Sequence, residues 1–426
     1  LFSSAAVFCR GDRGNRNPRV RDLTSFYLGP AGGGARGGVS NALAAPVLFE
    51  SVAEYPIAII LACALRPMVG KNVGKAADKA AVKDLVYPAV LAAVLLAAFL
   101  VPGFRIGTVA GWVLVIVMTY AAAAAFAMRT RPIRFALAIA VLFFAGGLAS
   151  SAGIDVVEQR RTFFGIHKVV RNASENLFQL YNGMTLHGTQ FSAADRLRVP
   201  TDYYYPGGPL GQVFAALKDA DAGRRVAVIG LGAGATACYR RPGGDWVFFE
   251  IDSHVEALAR DTRYFHFLDQ CGGDTSVVLG DARLRGAEDW WGRTEGGRGP
   301  SDMTIPAAFR AAAVRARLLT LEAVAFYKGR LAPGGLILFH LSNRHMVLEP
   351  VAAALLQSAD MAGLAQTHVP DPPRTGTRAS LWVIGAETLG PLAAFSGDAR
   401  WRRLVAPTKR PWTDDYWNFL ESIKWK

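Results

Sequence analysis

Long apolar runs follow one another closely in the first third of the chain. Three of them, Leu85–Pro102, Ile106–Met128 and Ile133–Ser151, are near the roughly 20 residues needed to cross the hydrocarbon core of a bilayer. The charged residue among them is Arg134, which lies at an end of its run. Because charge is costly in hydrocarbon, this composition predicts three consecutive membrane-spanning helices.

Two earlier segments are less regular. Ala44–Leu65 predicts a fourth span despite Glu50 and Glu54, and the glycine-rich Phe26–Ser40 is a candidate for a fifth. Residues 1–151 are therefore expected to form a helical transmembrane region. Because the chain begins with Leu rather than Met, we expect this region to be truncated at its N-terminus.

The orientation of these helices is ambiguous. Basic residues cluster in Arg66–Lys83 and Arg129–Arg134, whereas the loop between the first two spans carries only Arg105. The positive-inside rule places the two basic segments in the cytoplasm, so the chain after Ser151 emerges on the other side. A domain that uses a cytosolic nucleotide belongs in the cytoplasm instead. The side of the membrane on which this domain lies stays open. We prefer the cytoplasm because the nucleotide is cytosolic.

The pattern changes after Ser151, where apolar runs shorten to strand length and alternate with helical patterns. This alternation is typical of an α/β domain with a mostly parallel sheet. Thr162–Gln190 predicts a small antiparallel layer ahead of it, so we expect a β layer and connection at 152–212 and a Rossmann-like domain at 213–426. Strands are expected at Arg225–Gly230, Trp246–Asp252, Ser276–Ala282, Met303–Phe309, Gly335–Ser342 and Ser380–Gly385, and helices at Val255–Arg260, Val314–Arg330 and Val347–Ala362.

A glycine-rich turn joins the first two of these strands, in the stretch VAVIGLGAGATACYRRPGGDWVFFEID. It predicts strand, turn, helix and strand. Gly230, Gly232 and Gly234 permit a tight turn whose backbone N–H groups can approach a cofactor at the start of a helix. Glu250, at the end of the second strand, can accept hydrogen bonds from ribose hydroxyls. The same pattern also fits a dinucleotide site or a purely structural turn.

Two later features favour one class of nucleoside. Asp281 follows the third strand, where it can accept a hydrogen bond from an adenine amino group. The sequence LAPGG at 331–335 predicts a turn between a long helix and an apolar strand. In this order and spacing the elements resemble the class I S-adenosylmethionine-dependent fold. A dinucleotide dehydrogenase more often has a second domain after such a unit.

The composition limits the classes of partner that the chain is expected to bind. The 426 residues include 47 Lys and Arg against 34 Asp and Glu, a net charge of +13. Such a balance is typical of proteins that bind nucleic acid or an anionic membrane surface, and the apolar N-terminal region makes the membrane a sufficient explanation. Cys9, Cys63, Cys238 and Cys271 lack metal-ligand spacing. We therefore expect no nucleic-acid partner, no metal site and no disulfide framework.

The chain resembles the spermidine synthase (polyamine aminopropyltransferase) family, and more narrowly its bacterial membrane-fused members. The resemblance implies a multi-pass protein of the bacterial inner membrane that transfers an aminopropyl group from decarboxylated S-adenosylmethionine to a polyamine without a metal. A homo-oligomer is compatible with it and stays open. The stretches that carry the likeness are GMTLHGTQ (183–190), TDYYYPGGPLG (201–211), the glycine-rich stretch, VVLGDARL (277–284), LAPGGLILFHLSNRH (331–345) and RPWTDDYWNFLESIKW (410–425).

By the same resemblance, residues of the antiparallel layer and of the strand ends surround the donor. Tyr204 and Gln190 are expected to flank the active site from the layer. Tyr204, with its neighbours Tyr203 and Tyr205, can present aromatic faces to a cationic amine, although packing explains two of the three as well. The residues expected to hold the nucleoside are Gln190, Gly230, Gly232, Gly234, Glu250 and Asp281.

The catalytic acids of the family have no counterpart here. The attacking amine needs carboxylates to orient it and take up its proton, but alignment places Ala307 and Ala312 at the two acid positions. Alanine accepts no proton, and nearby arginines would repel a protonated diamine. Pro306 lacks an N–H for the sheet ladder, so a damaged fourth strand is expected. The arginines aligned with neutral or weakly basic positions are Arg310, Arg315 and Arg317.

Asp414 and Asp415 are the remaining carboxylates that match a family signature, in the sequence WTDDYWN. A solvated C-terminal cap explains them at least as well as catalysis. Three functions stay open: a membrane-bound aminopropyltransferase-like protein, an S-adenosylmethionine-dependent methyltransferase, and a catalytically inactive nucleoside-binding membrane protein. The antiparallel layer and the tyrosines favour the first, and the missing acids favour the third.

Overall fold

The structure, a computed structural model, describes residues 23–66, 77–100, 110–151, 154–217, 223–285, 299–307, 316–405 and 410–424. The chain divides into two compact units, Leu1–Asp155 and Val156–Lys426. The first unit is helical where it is described, and the second is built on β-sheets.

The helices of the first unit follow the apolar runs with one interruption. They are α1 Leu23–Val39, α2 Ala45–Leu48, α3 Glu54–Ala64, α4 Ala77–Leu100, α5 Ala110–Ala127 and α6 Pro132–Ser151. The span predicted over Ala44–Leu65 is two helices rather than one, because the backbone is extended at Phe49 (φ −126°, ψ 131°). The second of these, α3, has 11 residues.

An ion pair joins α4 to α6. Nη2 of Arg134 lies 2.7 Å from Oδ1 of Asp84, and its guanidinium lies 4.7 Å from the ring centroid of Tyr87. Asp84 and Arg134 both belong to the N-terminal parts of their helices, so these two parts lie beside each other. The buried cluster of this unit contains Leu91, Leu95, Ala121, Ala125, Ala138 and Ala145.

Within the described residues, the segment Pro132–Ala149 of α6 is long and apolar enough to cross a membrane, judged by length and composition. The apolar helix α3 and the Val115–Ala127 part of α5 are shorter. The bundle of spans remains a prediction.

A four-stranded sheet begins the second part of the chain. Its strands are β1 Asp155–Thr162, β2 Gly165–Asn172, β3 Leu177–Asn182 and β4 Thr185–Phe191, in that spatial order. β3 is antiparallel to both β2 and β4, and the turn before β4 contains Gly183 with φ +58°, a conformation that glycine adopts readily. We call this sheet the antiparallel layer. The layer predicted over Thr162–Gln190 is thus present, and it extends back to Asp155.

The second sheet has eight strands in the order β12-β10-β11-β9-β8-β5-β6-β7. The pairs from β9 to β7 are parallel, whereas β11 is antiparallel to both β9 and β10. The strands are β5 Arg225–Ile229, β6 Asp245–Glu250, β7 Ser276–Leu279, β8 Ser301–Pro306, β9 Leu331–His340, β10 Ala362–His368, β11 Ser380–Ala386 and β12 Arg402–Arg403.

This strand order distinguishes two nucleotide-binding folds. Counted from β5 as the first, seven strands lie in the order 3-2-1-4-5-7-6, and the seventh is antiparallel. The dinucleotide-binding fold has the order 3-2-1-4-5-6 without an antiparallel strand beside the fifth. The predicted methyltransferase-like α/β class is therefore confirmed.

Both faces of the sheet are covered, which explains the near-continuous apolar strands. Within β5, Val226 and Val228 face one buried cluster, and Ala227 and Ile229 face the other. The helices of this unit are α7 Pro209–Ala216, α8 Ser253–Arg260, α9 Ala282–Arg285, α10 Leu321–Lys328, α11 Glu349–Ser358 and α12 Ala393–Ser396.

Three element predictions need correction. The long helix expected to end at Arg330 begins only at α10, where the Thr320 hydroxyl accepts the N–H of Ala323 at 3.2 Å and caps the helix. LAPGG is an irregular part of β9 rather than a turn, because the pairing with β8 jumps by three residues there. The helix predicted over Val347–Ala362 ends at Ser358, and the unpredicted strand β10 follows it.

Candidate functional site

The carboxyl ends of four neighbouring strands line one pocket. In sheet order, β7, β6, β5 and β8 end beside Asp281, Glu250, Gly230 and Ala307. Since neighbouring strands lie about 4.8 Å apart, this row spans roughly 14 Å. Ligands of open α/β sheets bind at this edge, where the strand order reverses, which here is between β5 and β8. The pocket is also lined by Phe164, His167, His187, Tyr204, Gly232, Asp252 and Arg317.

Glu250 is held in place by two backbone groups. Its Oε2 accepts the N–H of Leu231 at 2.9 Å, and its Oε1 accepts the N–H of Asp252 at 3.1 Å. The residue is 8% exposed. The residue lines the pocket, where hydrogen bonds from ribose hydroxyls stay the predicted role of its carboxylate.

The glycine turn packs tightly under the antiparallel layer. Gly232 has φ +57°, and a Cβ at this position would lie 2.6 Å from the carbonyl oxygen of His187 in β4. Only glycine allows this approach. Gly230 and Gly232 line the pocket, whereas Gly234, with φ +87°, packs against Leu268.

The helix predicted after the turn is wrong. Between β5 and β6 the described chain forms one 3₁₀ turn, Ala235–Tyr239, and the backbone at Arg240 is already extended. A dinucleotide pyrophosphate binds at the N-terminus of an α-helix, where N–H groups and the helix dipole converge. A single 3₁₀ turn offers little of either, so the edge suits a nucleoside better than a dinucleotide.

Asp281 ends the row on the β7 side. Its Oδ1 accepts the backbone N–H of Arg283 at 2.8 Å, which fixes the carboxylate at the start of α9. The side chain lines the pocket together with Gly280 and Ala282. The position fits the predicted contact to an adenine amino group.

The fourth strand is intact despite Pro306, so the expected damage is wrong. Pro306 pairs with Ile229, and the N–H of Ala307 donates to the carbonyl of Ile229 at 3.0 Å. Successive N–H groups of a parallel strand point to alternate neighbours, so the donor that Pro306 lacks would face β9. The pairing with β9 has ended by then, at Thr304.

The expected acid positions contribute no carboxylate to the described pocket. Ala307 lines it, and Ala312 lies outside the described residues, as do Arg310 and Arg315. Arg317 lines the pocket and is exposed, and its backbone carbonyl accepts a hydrogen bond from Nη1 of Arg283 at 3.0 Å. Among the described residues, no carboxylate lies within ion-pair distance of its guanidinium.

Asp414 lies in a structural ion pair. Its two oxygens each accept a hydrogen bond from the Arg283 guanidinium at 2.8 Å, and Oδ1 also accepts the Thr320 hydroxyl at 2.9 Å. The bonds from Arg283 hold the pKa of Asp414 below its usual range. A paired, ionised carboxylate is a poor proton acceptor, so Asp414 ties the C-terminal segment to α9 and α10. Asp415 is exposed.

Gln190 and Tyr204 lie in different surroundings. Gln190 is 1% exposed, its Nε2 donates to the carbonyl of Leu197 at 2.7 Å, and its Oε1 accepts the N–H of His266 at 2.5 Å. These bonds use the amide to join β4 to two loops. Tyr204 lines the pocket and packs its ring edge-on to Trp382 at 6.1 Å.

The sequence analysis did not predict a buried pair, Asp252 and His167, which lies beside the strand ends that line the pocket. Oδ2 of Asp252 lies 2.8 Å from Nε2 of His167 and accepts the Thr162 hydroxyl at 2.5 Å, while Oδ1 accepts the N–H of His254 and caps α8. Burial raises the pKa of Asp252, but the bonds from His167, Thr162 and His254 outweigh it and leave the pKa low. The available signal was an Asp at the N-cap position of a predicted helix.

A disulfide also contradicts the sequence prediction. Cys238 and Cys271 are bonded, with their Cα atoms 4.7 Å apart. Cys238 lies in the 3₁₀ turn after the glycines, and Cys271 lies in the π-helical turn Leu268–Gly272. The bond therefore anchors the glycine turn to the segment that follows α8. Their separation of 33 residues carries no recognisable spacing.

Acidic side chains line the pocket at two strand ends. Asp281 lies at the β7 end, and Glu250 and Asp252 lie at the β6 end. In the part of the chain that the structure describes, no group of three or more His, Cys, Asp or Glu side chains could hold a metal ion. These carboxylates can accept hydrogen bonds from the hydroxyl or amino groups of a ligand.

No family model matches the chain, and no curated protein matches it. Among solved structures, a probable spermidine synthase from Corynebacterium glutamicum is 18% identical with a TM-score of 0.41, over 55% of this chain and 81% of that one. A spermidine synthase from Thermotoga maritima is 12% identical with a TM-score of 0.40, over 64% and 85%. An O-methyltransferase from Bacillus cereus in complex with SAH is 12% identical with a TM-score of 0.28, over 41% and 78%. Because these sequence identities and TM-scores are low, the function has to be argued from the residues of the site.

Proposed function

We propose that the α/β unit binds an S-adenosylmethionine-type nucleoside along its carboxyl edge and uses it as the donor in a group transfer to a small molecule. The observation that carries this proposal is that Asp281, Glu250 and Gly230, at consecutive strand ends, line one pocket. Asp281 suits the adenine amino group and Glu250 the ribose hydroxyls. Gly230 lets the sulfur end of the donor pass close to the backbone.

Aminopropyl transfer from decarboxylated S-adenosylmethionine to a polyamine is the first candidate reaction. The amine nitrogen attacks the propyl carbon, the bond from that carbon to the sulfonium breaks, and methylthioadenosine leaves. The amine then passes its proton to a base. Tyr204 and side chains of the antiparallel layer line the pocket, which supports this candidate. Ala307, at the expected acid position, cannot act as that base.

Methyl transfer from S-adenosylmethionine is the second candidate, and the β8 end of the pocket favours it. Ala307 there supplies no carboxylate to hold a cationic diamine. A methyl acceptor of other chemistry does not need one. Nucleoside binding without catalysis is the outcome if neither transfer is found.

We also propose that the helical unit anchors the protein in a membrane, which the family resemblance implies to be a bacterial inner membrane. The apolar segment Pro132–Ala149 supports this. So do large apolar side chains on α4 that are exposed in the chain alone, such as Val90 at 55% and Val94 at 59%. Apolar surface of this kind is stabilised by a lipid or protein cover. A cytosolic donor would favour the cytoplasm for the α/β unit.

Calorimetry on the full chain in detergent tests the proposal. The ligands are S-adenosylmethionine, its decarboxylated form, methylthioadenosine and NAD, and we expect the three adenosyl sulfur compounds to bind in preference to NAD. Asp281→Asn should weaken all three, because an amide oxygen is a poorer acceptor than a carboxylate. Asp274→Asn, at a fully exposed position, is the matched control. A preference for NAD, or no binding by folded protein, contradicts the proposal.

A further inference from the structure

His167 of β2 faces the α/β domain from the antiparallel layer. It alternates with Val169 along the strand, so the two side chains lie on the same face of the layer. Val169 packs in a buried cluster with Ala233 of the glycine turn and Leu258 of α8. His167 itself is 3% exposed and lines the pocket. Its ring therefore belongs to the wall that the layer supplies to the pocket.

Asp252 determines which nitrogen of this ring can accept a hydrogen bond. Oδ2 of Asp252 lies 2.8 Å from Nε2 of His167. Because the pKa of Asp252 is below its usual range, the carboxylate is ionised and accepts the proton of Nε2. A neutral imidazole carries one N–H, so Nδ1 of His167 is then a hydrogen-bond acceptor.

Nδ1 of His167 is open to a ligand. It forms no hydrogen bond with the residues that the structure describes. It is not sealed from solvent either, in contrast to Nε2 of the neighbouring His254, which is buried without a partner. Since the His167 side chain as a whole is 3% exposed and lines the pocket, the part of Nδ1 that is accessible faces the pocket.

Asp252 also holds Glu250. The N–H of Asp252 donates to Oε1 of Glu250 at 3.1 Å, so Glu250 and His167 meet at the β6 end of the pocket. The glycine turn lies under β4 instead, and β2 is two strands away from β4 in the layer, roughly 10 Å. His167 is therefore placed beside the predicted ribose position rather than beside the sulfur end of the donor.

We propose that His167 is a specificity-determining residue whose Nδ1 accepts a hydrogen bond from one of the two adjacent ribose hydroxyls, so that the pocket selects ribonucleosides over deoxyribonucleosides. This inference rests on the nucleoside binding proposed above. Two adjacent hydroxyls need two acceptors, and His167 supplies the second one beside Glu250. A ligand that lacks the hydroxyl leaves Nδ1 without water and without a partner, which weakens its binding.

Calorimetry on the full chain in detergent compares methylthioadenosine with its 2′-deoxy and 3′-deoxy analogues. We expect the parent protein to bind each analogue at least about fivefold more weakly, the ratio that one net hydrogen bond gives. In His167→Gln the amide can still donate to Asp252, but no acceptor lies at the position of Nδ1. This variant should bind methylthioadenosine about fivefold more weakly and one of the two analogues as tightly as the parent does.

A second variant changes the proton on the ring without changing the ring. In Asp252→Asn the amide oxygen still accepts the N–H of His254, so the amide nitrogen faces Nε2 of His167 and donates to it. The ring proton then moves to Nδ1, which can no longer accept. We expect the same selective loss as in His167→Gln. His345→Gln, at an exposed position outside the pocket, is the control and should leave all three affinities unchanged.

The outcomes separate the two proposals. If the parent protein binds methylthioadenosine and both analogues equally, the role of His167 is overturned and nucleoside binding stands. The same holds if His167→Gln weakens all three ligands by one factor, which indicates a structural role, or weakens none of them. If folded parent protein binds none of the three, both proposals fail.

Discussion

Nε2 of His167 lies 2.8 Å from Oδ2 of Asp252, and this contact joins the antiparallel layer to the start of α8. The two side chains are 3% and 5% exposed. Asp252→Asn keeps the shape but removes the charge that strengthens three hydrogen bonds. We expect it to lower the free energy of unfolding by roughly 1–3 kcal/mol, measured by urea denaturation. Asp269→Asn, at an exposed position, is the control, and equal effects of the two would contradict this role.

Two partly buried histidines make stability depend on pH. Burial lowers the pKa of His254, with further lowering from His167 and Arg160, and burial followed by Arg400 lowers that of His368. The unfolded chain then binds protons more readily than the folded one below the ordinary histidine pKa of about 6.5. The contribution of the two histidines to the free energy of unfolding is complete above that pH. It is lost as the pH falls toward their pKa values in the folded state.

We therefore expect the free energy of unfolding to decrease as the pH falls from about 7 to about 5. His254→Gln combined with His368→Gln should flatten this dependence. Urea denaturation at a series of pH values measures it. An unchanged slope in the double variant would assign the pH dependence to other groups.

Removing the disulfide should destabilise the α/β unit. The bond closes a loop with a separation of 33 residues, for which loop-closure entropy gives roughly 3–4 kcal/mol. Cys238→Ser with Cys271→Ser, and the parent protein in reducing agent, should lose similar stability in urea. Cys63→Ser, a free cysteine in α3, is the control. Identical stability of all four samples would mean that the bond contributes nothing.

The redox state of the same two cysteines indicates on which side of a membrane the α/β unit lies. Disulfides persist in oxidising compartments, and the Asp84 and Arg134 pair brings the helix ends beside both basic segments together. If α6 spans a membrane as proposed, the positive-inside rule places those ends in the cytoplasm and the chain after Ser151 outside it. Oxidised Cys238 and Cys271, detected when thiols are blocked at cell lysis, would support that outer placement. Reduced cysteines would support the cytoplasmic placement preferred on cofactor grounds.

The sheet could be predicted because its strands are buried on both faces. Runs such as VAVI in β5 and WVFFE in β6 are apolar throughout, as expected for parallel strands under helices. β10 escaped prediction because its sequence, AGLAQTH, lacks β-branched side chains apart from one threonine. The missing helix after the glycine turn has a local cause, since Pro242, Gly243 and Gly244 follow closely and end helical structure.

The candidate site could be predicted only where a topological rule applies. Gly230, Glu250 and Asp281 meet because carboxyl ends of neighbouring parallel strands share one edge. Gln190 and Asp414 are bonded to groups 76 and 131 residues away in sequence, His266 and Arg283. No local pattern shows such contacts.

Two glycines with left-handed backbones allow the effect of backbone strain to be distinguished from the effect of a close contact made by a Cβ. Gly232 (φ +57°) and Gly243 (φ +82°) both disfavour a side chain, at about 1–2 kcal/mol each. A Cβ at Gly243 would meet its nearest neighbour at 3.8 Å, whereas one at Gly232 would lie 2.6 Å from the carbonyl oxygen of His187.

Gly232→Ala must therefore displace β4 from the turn in addition to paying the backbone strain. We expect it to destabilise the protein more than Gly243→Ala does and to weaken methylthioadenosine binding, because the turn and the layer both line the pocket. Gly243→Ala should leave that binding unchanged. Urea denaturation and calorimetry on both variants measure the two effects. Equal losses of stability with unaltered binding in both would mean that the contact between the turn and β4 does not shape the pocket.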